Sequence, residues 1–172
     1  LNDVKEAEGY RKAFYLMIKF KDQLSLKVVN KWHEMMFKET MEHIAGKPRL
    51  HKIIVTGSRT SFPNPENVPK LLAEFFDWYR KNERKLNPVE LAALAHLKFV
   101  TIHPYSDGNG RISRLLANYA LIKHGYPMLN IKFNDRMEYY KNLEASQING
   151  KPKYFVRFFL KRYLKENKTF LD

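Results

Sequence analysis

The chain contains no cysteine. That excludes disulfides, zinc–thiolate sites and a cysteine nucleophile, and it is compatible with a cytoplasmic home. No run of 18 apolar residues occurs, so no membrane-spanning helix is expected. The opening LNDVKEAEGY lacks the apolar segment of a secretory leader and does not begin with Met, which points to a fragment of a longer chain. The phosphate-loop pattern GxxxxGK with Ser or Thr is missing, because Gly46-Lys47 and Gly150-Lys151 are each followed by proline. No HExxH is present either. His96 and His103 are seven apart, but no third zinc ligand accompanies them, and His96 reads as a satisfied core histidine. Acids are scarce, 18 against 31 Lys and Arg, which leaves a net charge of +13. Such a balance suits anionic partners. Yet the basic residues are scattered among acids, as in RKNERK, so most of them read as solvated helix faces, and neither nucleic acid nor membrane is expected as a partner.

What remains is a globular chain of 172 residues, 44% hydrophobic, long enough for one domain with a real core. Apolar residues recur with helical spacing almost throughout. Tyr10, Ala13, Phe14, Met17 and Ile18 mark a first helix; Ser25 can cap a second that carries Val28, Val29, Trp32, Met35 and Met36. The pattern then breaks. HKIIVTG is β-branched, and the glycine, serine and prolines around it favour turns, so a small hairpin or flap is expected over residues 50–62. Asn67 can cap the next helix. Asn87-Pro88-Val89-Glu90 is a strong helix start, and LAALAHLKFVTI after it is apolar nearly all round, as a central buried helix is. It should end at His103, because Pro104 pushes its predecessor out of the α region. A further helix follows the glycines and closes at Gly125-Tyr126-Pro127. Another, with Asn134 as cap, turns Met137, Tyr140 and Leu143 inward, and a last one carries Phe155, Phe158 and Phe159. The expected fold is all-α, a mostly helical single domain over residues 1–172 with one small β-hairpin.

Between the central helix and its successor lies HPYSDGNGRISR, residues 103–114. A helix start presents unpaired N–H groups and the positive end of its dipole, and glycines let that backbone approach a ligand closely. Gly108, Asn109 and Gly110 would form such an anion cradle. Arg111 and Arg114 share one side of the new helix and suggest more than one phosphate. Asp107 makes sense beside phosphates when it holds Mg²⁺. His103 is the only neutral-pH base of the loop. Each residue alone reads equally as a turn residue, a surface arginine or a helix cap. Together and in this order they point to metal-assisted transfer of a phosphorus group to an alcohol.

This segment resembles the Fic family signature HPFxDGNGRxxR, with Tyr105 in place of Phe. The similarity continues through NPVELAALAHLKFVTIHPY, LLANYALIKHGYP and RMEYYKNLEASQ, and covers roughly residues 8–165. The resemblance implies a Fic-like helical core that moves AMP from ATP to a Ser, Thr or Tyr hydroxyl of a protein. By the same resemblance His103 is the general base and Asp107 the Mg²⁺ ligand. Gly108, Asn109 and Gly110 bind the α- and β-phosphates, Arg111 neutralises the leaving pyrophosphate, and Arg114 reaches the γ-phosphate. Tyr140 is a candidate for the adenine pocket, with core packing as its alternative. GKPRLHKIIVTG is similar to the family's flap, which implies a target protein docked as an added strand near residues 50–58. Gly110 stands where the target-phosphorylating branch carries Lys, which favours AMP transfer; members that move phosphocholine share the motif.

Many members carry an inhibitory helix with Ser or Thr, three residues, Glu, then Gly or Asn. Glu8-Gly9 fits its end, but Val4 stands at its start; Glu166-Asn167 fits too, but Arg162 stands at its start. An inhibitory helix is therefore expected upstream in the same chain, with an antitoxin in trans or no inhibitor as the alternatives. Two other functional readings stand beside AMP transfer. One is a catalytically inactive, basic module that binds nucleic acid or a partner. The other is a Fic-type enzyme that moves another phosphate-containing group or removes AMP.

Overall fold

In the computed structural model, which describes residues 1–171, the chain is a bundle of helices. They are α1 (Asn2–Lys19), α2 (Leu26–Phe37), α3 (Val68–Asn82), α4 (Pro88–Ile102), α5 (Asn109–Lys123), α6 (Arg136–Asn149), α7 (Lys153–Glu166) and α8 (Lys168–Leu171). Short 3₁₀ turns at Pro65–Asn67 and Phe133–Asp135 lead into α3 and α6.

The start of α4 is the one the sequence describes. Pro88 sits in the first turn, and the Asn87 side chain accepts a hydrogen bond from the Val89 N–H at 2.9 Å. Ten residues of α4 are buried, so it forms the axis of the domain, with α5, α7 and α3 packed around it. Tyr79, Phe99, Tyr119, Phe155 and Phe159 fill the space between these helices and are essentially inaccessible to solvent. α1 packs on α2 and reaches α5. Gly9 permits that closeness, since a Cβ there would collide with the backbone of Met35 and Met36.

Three expectations fail. No β-hairpin forms: residues 50–62 contain bends, turns and irregular backbone but no strand. Among the described residues the β-branched run has no neighbouring strand to accept its ladder bonds, and an isolated two-stranded hairpin is marginal in water. Ile54 is 93% exposed, and the segment is held at its ends instead. α6 is also rotated from the expected phase. Tyr139, Leu143 and Ser146 are buried, while Met137 is 87% exposed and Tyr140 half exposed. The cause is α7: Phe155 and Phe158 pack edge-on against Tyr139 and so select the adjacent helical face. Asp135 rather than Asn134 occupies the cap position of α6, and Ser25 and Asn67 occupy theirs without making a side-chain bond.

Candidate active site

α4 ends at His103, whose φ of 52° and ψ of 57° place it in the left-handed region. It is the one non-glycine residue with positive φ among the described residues, a conformation that costs about 1–2 kcal/mol. Two devices hold it. The Arg49 Nε donates to the His103 carbonyl at 2.7 Å, and the Arg49 amide donates to the Pro104 carbonyl at 2.8 Å. Arg49 is 2% exposed and spends its other nitrogens on the carbonyls of His51 and Pro63. One buried guanidinium thus ties both ends of the expected flap to the end of α4.

The His103 ring packs on Phe62, with ring centres 4.2 Å apart. Its Nδ1 lies 3.1 Å from the Val100 carbonyl. A carbonyl only accepts, so Nδ1 carries the proton and Nε2 keeps its lone pair. Burial is the main reason that the imidazole is pushed down to about 4; Arg49 pushes the same way, and the Val100 carbonyl and Asp107 oppose it. At neutral pH the ring is an uncharged base.

The loop from Tyr105 to Asn109 is closed by a reciprocal pair. The Tyr105 N–H donates to Asn109 Oδ1 at 2.9 Å, and Asn109 Nδ2 donates to the Tyr105 carbonyl at 2.8 Å. The Asn109 side chain is therefore buried scaffold, and only its backbone can serve a ligand. Gly108 caps α5 with φ 78°, and a Cβ there would stand 2.7 Å from the Phe37 ring. Behind the loop sits His33, fully buried and stacked on Tyr105 at 3.8 Å. Its Nδ1 accepts from the Gly46 N–H at 2.9 Å, so Nε2 bears the proton and donates to the Asp107 carbonyl at 3.0 Å. Burial pushes His33 down to about 4.

His103, Asp107, Gly108, Asn109, Gly110, Arg111, Arg114 and Tyr140 all line one cavity of about 870 Å³. The first N–H groups of α5 have no intrahelical acceptor, so this wall is electropositive. Arg111 lies 3.5 Å from Asp107 and 2.8 Å from Glu6 of α1. No carboxylate pairs with Arg114 among the described residues. The phenols of Tyr10 and Tyr139 adjoin it. Burial raises both, Tyr139 to about 12, and the charge of Arg114 pulls each partway back. Tyr139 also lines the cavity and bonds His96 through its hydroxyl at 3.1 Å. Val55–Ser58 line the same cavity. They are anchored to α6 where the Arg59 amide and guanidinium both donate to Glu144, at 2.7 Å for the amide.

The Asp107 side chain is 55% exposed and is the cradle's own carboxylate, and no cluster of three metal-ligating side chains exists among the described residues. An exposed carboxylate beside a phosphate cradle is a donor of the kind Mg²⁺ takes, with phosphates and water completing its shell. The sequence reading missed Arg49, His33 and Glu6. Each acts on the motif from far away along the chain, so no local pattern marks it.

The Fic/DOC family model matches residues 23–121. A protein adenylyltransferase of Nematostella vectensis is 41% identical over 66% of this chain and 26% of its own length. One of Caenorhabditis elegans is 32% identical over 91% of this chain and 32% of its own length. The chain thus spans about a third or less of the curated relatives it matches. A Fic domain containing signalling protein of Bacteroides thetaiotaomicron superposes with a TM-score of 0.81 at 28% identity, over 96% of this chain and 70% of that one. The family match covers more than half of the chain, and fold and motif agree with it: the chain belongs to the Fic/DOC family.

Proposed function

We propose that this domain transfers AMP from ATP to a Ser, Thr or Tyr hydroxyl of a protein. The observation that carries the reading is one cavity wall with an uncharged histidine base and a helix-start anion cradle flanked by two arginines. The names of the curated relatives, protein adenylyltransferases, favour it.

The first-turn amides of α5 hold the phosphate chain, with Arg111 and Arg114 beside them. Mg²⁺, when bound at Asp107, neutralises phosphate charge. His103 Nε2 accepts the proton of the target hydroxyl as its oxygen bonds to the α-phosphorus. The bond from that phosphorus to the bridging oxygen breaks, and pyrophosphate leaves against the arginines. Gly110 adds no side chain to the cradle, which leaves room for the outer phosphates. Tyr140, half exposed on the wall, gives adenine a ring to stack on. The segment near residues 50–58, which pairs with no strand among the described residues, gives a target segment backbone donors and acceptors. Arg114, with no carboxylate partner among the described residues, is available to a γ-phosphate or to an inhibitory glutamate. Incubation with α-³²P-ATP, Mg²⁺ and candidate proteins should label protein, and His103→Ala should abolish the label. Equal labelling by both would refute the assignment.

A further inference from the structure

We propose that Glu6 is a positioning residue that holds the Arg111 guanidinium against the phosphate cradle, which makes α1 part of the nucleotide site. The inference rests on the function proposed above.

Three contacts fix Arg111. Its Nη1 donates to Glu6 at 2.8 Å, its Nη2 faces Asp107 at 3.5 Å, and its Cζ lies 4.8 Å over the Phe37 ring. The ion pair is largely removed from water, with 26% of the Arg111 side chain and 17% of the Glu6 side chain exposed. Arg111 lines the cavity and Glu6 does not. The carboxylate holds Nη1, while Nη2 faces Asp107, which lines the cavity with Arg111. A blocking glutamate would stand between the arginine and the phosphates. Guanidinium has five N–H donors in a fixed fork, so one edge can serve a carboxylate while the other serves a phosphate.

The reach of Glu6 follows from the helix crossing. Glu6, Gly9, Tyr10 and Ala13 recur at helical spacing on the inner face of α1. Gly9 lets α1 approach the backbone of α2 at Met35 and Met36. That closeness carries Glu6, one turn earlier, to Arg111, and places Tyr10 beside Arg114. Glu8, by contrast, is exposed.

Calorimetric titration with Mg·ATP and with AMP distinguishes positioning from packing, because Arg111 faces the outer phosphates that AMP lacks. Glu6→Ala should weaken Mg·ATP binding about tenfold or more, the scale of a charged hydrogen bond, and change AMP binding less than about twofold. Glu6→Gln, which keeps the shape and an acceptor, should fall between. In an Arg111→Ala background the Glu6→Ala effect should vanish. Equal loss of ATP and AMP, or an undiminished loss without Arg111, would make Glu6 merely structural. Unchanged or tighter ATP binding by Glu6→Ala and Glu6→Gln would overturn the positioning role while the proposed function stood. Failure of the wild type to bind Mg·ATP would overturn both.

Discussion

Acidification should destabilise this domain well before it protonates the base. His33 and His96 are fully buried, and His103 is largely buried. Burial pushes His33 and His103 down to about 4 and His96 to about 3. An unfolded histidine titrates at about 6.5. Above that value both states are neutral at these positions and nothing is gained or lost. Below it the unfolded chain binds protons that the folded chain refuses, so stability falls as pH falls. The loss levels off only near pH 4 for His33 and His103 and near 3 for His96. Each refused proton contributes a slope of about 1.4 kcal/mol per pH unit, and His33 and His96 with a smaller share from His103 give roughly 3–4. At the lower end of the usual range, about 5–7 kcal/mol, the acid midpoint then falls at roughly pH 4.5–5. Urea unfolding followed by circular dichroism at steps from pH 7.5 to 5 would measure the slope. His96→Gln should remove about a third of it, whatever its cost at neutral pH. A stability that stays flat from pH 7 to 5, or a slope that His96→Gln leaves intact, would refute the reasoning.

Two other substitutions separate parts of the loop. Gly108→Ala puts a Cβ at φ 78° and 2.7 Å from the Phe37 ring, and should cost about 2–4 kcal/mol, or roughly 5–10 °C in a thermal melt; an unchanged melt would mean that the loop is less tightly built. Asp107→Ala should raise the Mg²⁺ concentration for half-maximal labelling about tenfold or more, and an unaltered metal requirement would remove Asp107 as the ligand.

The parts of this domain that the sequence made legible are those written locally. HPYSDGNGRISR contains the helix end, the anion loop and the next helix start within twelve residues, and Asn87-Pro88 announces α4. The rest depends on long-range packing. Arg49 lies 54 positions from His103, His33 lies 74 from Asp107, and Glu6 lies 105 from Arg111. Only the folded chain brings these together. The phase of α6 was ambiguous because aromatic or apolar residues lie on adjacent faces, and Phe155 and Phe158 settle it in favour of Tyr139. The hairpin expectation failed for a different reason. A β-branched run reports a willingness to pair, and no partner strand exists among the described residues.

The central claim is that ATP lies with its phosphates on the start of α5 and its α-phosphorus toward His103. A crystal structure of the domain with a non-hydrolysable ATP analogue and Mg²⁺ tests it most directly. Phosphate oxygens should lie within hydrogen-bond distance of the amides of Gly108–Gly110, with both arginines on the outer phosphates and the α-phosphorus on the Nε2 side of His103. A nucleotide bound elsewhere, or with its phosphates turned away from α5, would contradict it.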